Sequence, residues 1–147
     1  MREIAIVDTV FDEINNCAYL ILRDADEHFQ LQVTKDIGKK VALLLYNAFP
    51  SDEKSIYSSF VKLVNEFGFQ IISVILLPNL KSGDLARIVI SNGEQTIELF
   101  IDSEDAILVA LISSAVIFID YDEEREEKED IEKTLLSNWY NFFSKVL

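Results

Sequence analysis

The chain has 147 residues, with 13 Lys and Arg against 26 Asp and Glu, a formal net charge of −13, and half of its residues are apolar or aromatic. A chain of this length removes roughly 68–70% of its unfolded surface from water, enough for one domain with its own core. One cysteine and one histidine exclude a disulfide scaffold and a structural zinc module, and four glycines with no G-x-G-x-x-G or G-x-x-x-x-G-K-[ST] spacing exclude the familiar phosphate-cradling loops.

The N-terminus, Met-Arg-Glu-Ile-Ala-Ile-Val-Asp, has no uninterrupted apolar core and no small-residue cleavage site, so a cytoplasmic location is expected. Residues 2–11 and 17–23 are rich in β-branched and aromatic side chains and flank the turn-prone Asp12-Glu13-Ile14-Asn15-Asn16, which predicts a β-hairpin. Residues 28–34 then alternate, with Phe29, Leu31 and Val33 on one face and Gln30 and Gln32 on the other. This third strand has one wet face.

Thr34 or Asp36 is suited to cap a helix running to Phe49, with Ile37, Val41, Leu44, Leu45 and Ala48 at helical spacing and Pro50 as its stop. Ser51, Asp52 or Ser55 caps a second helix with the apolar set Ile56, Phe60, Val61, Leu63, Val64 and Phe67, which Gly68 ends. Phe69 to Leu77 is too apolar for an exposed edge and reads as a central strand. Leu85 to Ser91 and Gln95 to Ile101 flank Asn92-Gly93, a dipeptide suited to both left-handed positions of a type I′ hairpin turn.

Asp102-Ser103-Glu104-Asp105 opens a helix over about 103–114 that is apolar all round and therefore must be covered on more than one side. The apolar stretch 106–119, interrupted by Ser113 and Ser114, falls short of the roughly 20 residues that span a bilayer as a helix, so no membrane association is expected. Val116-Ile117-Phe118-Ile119 is a short buried strand. Beyond it the chain turns to charge, then resumes amphipathic spacing at Leu135, Trp139, Phe142, Phe143 and Val146. The order β-β-β-α-α-β-β-β-α-β-α lacks strict β-α alternation and defines an α+β domain with a mixed, mainly antiparallel sheet.

This order, together with Ile37-Gly38 followed by Ala42, the helix ending on Gly68, the hairpin around Asn92-Gly93, and Asp105-Ala106-Ile107 leading to Val116-Ile117-Phe118-Ile119, resembles the bifunctional-nuclease domain family. The resemblance covers residues 1–120, leaving 121–147 as an acidic connector and C-terminal amphipathic helix. It implies cleavage of RNA and DNA. The chain departs from the family pattern at Val41, where the family has Glu, and at Ser103-Glu104, where it has Arg-Pro-Ser. The degraded motif makes a catalytically silent interaction module of the same fold the alternative expectation.

Asp102, Glu104 and Asp105 are the candidate catalytic and metal-ligating residues, because metal-dependent phosphodiester hydrolysis needs carboxylates converging on a hard cation such as Mg²⁺. Helix capping and dipole compensation also place acids at these positions. Lys35, Lys39 and Lys40 are the candidate phosphate contacts, with Lys35 and Lys39 on one helical face, although three lysines without interleaved aromatics make a thin patch that a solvated helix start explains better. His28 reads as a surface strand histidine and Cys17 as a small buried hydrophobe. The apolar 103–114 helix and the aromatic tail lead to an expected homodimer or higher oligomer.

Between Asp120 and Lys133 there are nine acidic and three basic residues, so this segment carries 3 − 9 = −6 and the rest 10 − 17 = −7. Even −7 gives no electrostatic steering toward nucleic acid.

Overall fold

A computed structural model describes residues 1–25, 27–46, 56–77 and 85–120. The elements are β1 (Arg2–Asp12), β2 (Cys17–Asp24), β3 (Glu27–Thr34), α1 (Lys35–Leu45), α2 (Ile56–Glu66), β4 (Gln70–Leu76), β5 (Leu85–Ser91), β6 (Thr96–Asp102), α3 (Ser103–Ser113) and β7 (Val116–Ile119). The fold is α+β, as expected. The expected C-terminal helix, the second helix's proposed caps and Pro50 lie outside the described residues, and α1 ends at Leu45, with Tyr46 as its C-cap, short of the expected Phe49.

The strands form one seven-stranded sheet in the order β3-β2-β1-β7-β4-β5-β6. Every neighbouring pair is antiparallel except β4 and β7, which run parallel. Strand β7, the last among the described residues, thus sits between β1 and β4 and joins the N-terminal meander to the β4-β5-β6 meander. Parallel neighbours need a crossover, and the β5-β6 hairpin followed by α3 supplies it.

Helices α1, α2 and α3 cover one face. Ile4, Ile6, Leu20, Val33, Val74, Leu76, Ile88 and Ile117 from the strands share a core with Ile37 and Val41 of α1, Val61 of α2 and Ala106 to Ala110 of α3. Helix α3 contacts α1, α2 and strands β4 to β7, which is why it is apolar all round. Gly38 marks the closest helix-to-strand approach: a Cβ there would stand 2.5 Å from the Cβ of Ala18. Only glycine lets α1 lie this low on β2.

The helix ends follow local chemistry. Thr34 caps α1, its hydroxyl accepting from the Ile37 N–H. At the end of α2, Gly68 is left-handed (φ 81°), with its N–H donating to the Asn65 carbonyl and that of Phe69 to the Val64 carbonyl, the paired bonds of a Schellman stop. The Asn92-Gly93 turn differs from its type I′ expectation. Gly93 is left-handed but Asn92 is not, and β5 and β6 are joined by residues 92–95. The Asn92 side-chain oxygen accepts from the N–H groups of Glu94 and Gln95, so an Asx turn takes the place of a second left-handed residue.

Among the described residues no helix is long and apolar enough to cross a membrane.

Candidate functional site

The N-terminal ends of α1 and α3 open onto the same cleft, because β3 enters α1 at Thr34 and β6 enters α3 at Asp102. The β1-β2 turn closes its third side. The cleft has a volume of about 1030 Å³, and its polar lining includes Asn15, Asn16, Gln32, Lys35, Lys39 and Asp102. Five of the six residues singled out from the sequence as phosphate contacts or carboxylate ligands line it: Lys35, Lys39, Asp102, Glu104 and Asp105. Lys40 does not line it. That lysine pairs with Asp36 at 3.1 Å and lies 5.7 Å above the Tyr57 ring.

Within the cleft the three acids are engaged separately. Glu104 turns toward α1, one carboxylate oxygen accepting from the Thr34 N–H at 3.0 Å and the other from the Thr34 hydroxyl at 3.3 Å. Asp105 turns toward α2 and accepts from the Tyr57 hydroxyl at 2.8 Å. Asp102 is exposed and, although it occupies the N-cap of α3, its side chain makes no capping bond. Among the described residues no three His, Cys, Asp or Glu side chains are grouped so as to hold a metal ion.

The electrostatics are negative. Lys35 and Lys39 face four carboxylates in the lining, Asp36, Asp102, Glu104 and Asp105. Lys35 is further offset by Glu13, whose carboxylate lies 2.7 Å from its ammonium group. Lys39 is exposed and has no ion-pair partner among the described residues. Tyr57 reports the local field: burial, its hydrogen bond to Asp105, and the charges of Asp105, Asp36 and Glu104 push its hydroxyl up to about 12.

The turn that closes the cleft is held by Asp12. Its carboxylate accepts from the backbone N–H groups of Ile14 and Asn15 and from the Asn15 side chain, and the Asn15 amide is the main cause that holds Asp12 below its ordinary value. Asn16 completes the reversal in a left-handed conformation. Cys17 follows, buried, in the cleft wall. His28 is exposed on β3, opposite Arg23, and does not line the cleft.

Sequence reasoning named Thr34 as a cap and missed Tyr57, Asn15 and Asn16 as parts of the site. The turn composition of 12–16 marked a reversal, but nothing local marks Tyr57 as the partner of an acid 48 positions away.

Comparison with protein-family models and with curated protein sequences finds no significant match.

Proposed function

We propose that the chain is a divergent member of the bifunctional-nuclease family that works as a non-hydrolytic, self-associating interaction module. The observation that carries this reading is the separate engagement of Glu104 by Thr34 and of Asp105 by Tyr57. Hydrolysis through a hard cation needs carboxylate oxygens free to converge on it. Here two of the three acids instead tie the start of α3 to α1 and α2. The excess of carboxylates over lysines in the cleft also opposes a polyphosphate ligand.

Support for self-association comes from α2. Ile56, Leu63 and Phe67 are 78%, 55% and 73% exposed, and with Phe60, which is half-buried against the core, they recur at intervals of four, three and four residues. That is the spacing of a helix-pairing seam. An antiparallel second copy of α2 brings Ile56 against Phe67 and Phe60 against Leu63, a self-complementary contact of the kind a two-fold dimer needs.

Two measurements test the reading. Purified protein and an Asp102→Ala variant are incubated with single-stranded RNA and DNA in Mg²⁺, Mn²⁺ or EDTA; no metal-dependent cleavage is expected from either. Cleavage by the wild type that needs metal and is lost in the variant overturns the non-hydrolytic assignment. Light scattering is expected to give a dimer mass for the wild type and a monomer mass for Leu63→Asp. A monomeric wild type overturns self-association.

A further inference from the structure

The face of the sheet opposite the helices holds a second cluster, in which Ile75 and Leu77 are buried and Leu85, Val89, Phe100 and Phe118 pack around them. No residue of α1, α2 or α3 belongs to it. The pairing registers place Phe118, Ile75, Arg87 and Phe100 in one row across β7, β4, β5 and β6. Strand neighbours alone leave a sheet face open to water, and the N-terminal half of this face behaves that way: Val10, Gln30 and Gln32 are exposed. Ile75 and Leu77 are only 4% and 1% exposed within a single chain.

We propose that the chain's own C-terminal segment, residues 131–147, docks on this face over β7, β4, β5 and β6. The other stretches outside the described residues do not fit. Residues 47–55 connect α1 to α2, which pack on the opposite face, and 78–84 contain a single large apolar residue, Leu80. The C-terminal segment departs from the middle of the cluster, since the Asp120 N–H bonds the Leu76 carbonyl one residue from Ile75. It carries Leu135, Trp139, Phe142, Phe143 and Val146 at helical spacing. As a helix, 17 residues reach about 25 Å, against about 14 Å across four strands.

This docking is independent of the function proposed above and is read by Trp139, the only tryptophan. In the full-length chain Trp139 emission is expected to be blue-shifted and shielded from acrylamide, with shielding that survives dilution and the Leu63→Asp substitution in α2. Val89→Glu on the sheet and the paired tail substitutions Phe142→Asp and Phe143→Asp are each expected to red-shift the emission and remove the shielding. Leu43→Glu on the outer side of α1 leaves both unchanged. Circular dichroism checks that Val89→Glu folds, and the tail variant, which leaves the sheet sequence intact, reads the proposal if it does not. Trp139 as open to acrylamide as in urea overturns the docking. Shielding lost on dilution together with the dimer mass also overturns it, because a second copy is then the occupant.

Discussion

Glu104, in the first turn of α3, holds Thr34, the N-cap of α1, through both carboxylate oxygens. One acid therefore serves two helix starts: it lies in the favourable dipole position of its own helix and fixes the residue that caps another. Glu104→Ala is expected to lower stability by on the order of 1 kcal/mol, because the bonds it removes are exposed and water replaces them in part. Thr34→Ala is expected to cost about 1 kcal/mol through the lost cap. Since the two residues share hydrogen bonds, the double variant should cost less than the two single costs added, which urea unfolding of all four proteins measures. Additive costs would show that the Glu104 bond to the Thr34 hydroxyl contributes nothing, since the bond from the Thr34 backbone N–H survives in Thr34→Ala.

Tyr57 gives a pH dependence with a defined sign. Its hydroxyl is raised to about 12 in the folded protein, so between the ordinary tyrosine value near 10 and about 12 the folded state holds a proton that the unfolded state has lost. The contribution is complete below about pH 10 and falls away as pH rises through 12. Stability should decline across that window, and Tyr57→Phe should flatten this part of the decline. Asp105→Asn removes both the carboxylate acceptor and its charge, and should move the Tyr57 absorbance titration to lower pH. An unmoved titration would show that Asp105 has no part in raising it.

Much of the fold is written in local patterns. The alternation in β3, the left-handed stop at Gly68 and the unbroken apolar run of α3 each have a cause within a few residues of sequence. The sheet order does not. Strand β7 is inserted between β1 and β4 by distant pairings, Ile4 with Ile117 across more than 100 positions and Val74 with Ile117 across more than 40, and nothing local encodes them. The same limit separates what was legible in the site from what was not. Three acids at the start of α3 are plain from Asp102, Glu104 and Asp105, but the directions of Glu104 and Asp105 are set by Thr34 and Tyr57, 70 and 48 positions away. Asn92 fails as a left-handed residue for a subtler reason. Its side chain already satisfies the N–H groups of Glu94 and Gln95, so the hairpin closes without the conformation its dipeptide favours.

Ile107 is fully buried where α3 meets the sheet, and its neighbours from Ala106 to Ala110 are buried with it. Truncation to alanine leaves a cavity that helices on two sides and a sheet on the third cannot collapse easily. Ile107→Ala is therefore expected to cost about 2–5 kcal/mol, seen as a lower urea midpoint with an unchanged slope. Exposed Ile56, truncated in the same way, should cost well under that in the monomer.

The approach of α1 to β2 sets the height of the cleft, and Gly38 sets the approach. Gly38→Ala would gain about 1 kcal/mol of helix propensity in isolation. In the fold its new methyl group would meet the Ala18 methyl at 2.5 Å, with Phe11 and Thr9 side chains at 3.4 and 3.5 Å behind it. Ala18 is fully buried in a strand paired on both sides, so the relief must come from lifting α1, an overpacking that costs about 1–3 kcal/mol. The balance is a net loss of up to about 2 kcal/mol. Ala18→Gly placed in the Gly38→Ala background removes the opposing methyl and should recover part of that loss, despite the intrinsic penalty of glycine in a strand. Recovery identifies the methyl contact as the cause, and a double variant less stable than Gly38→Ala alone would rule it out.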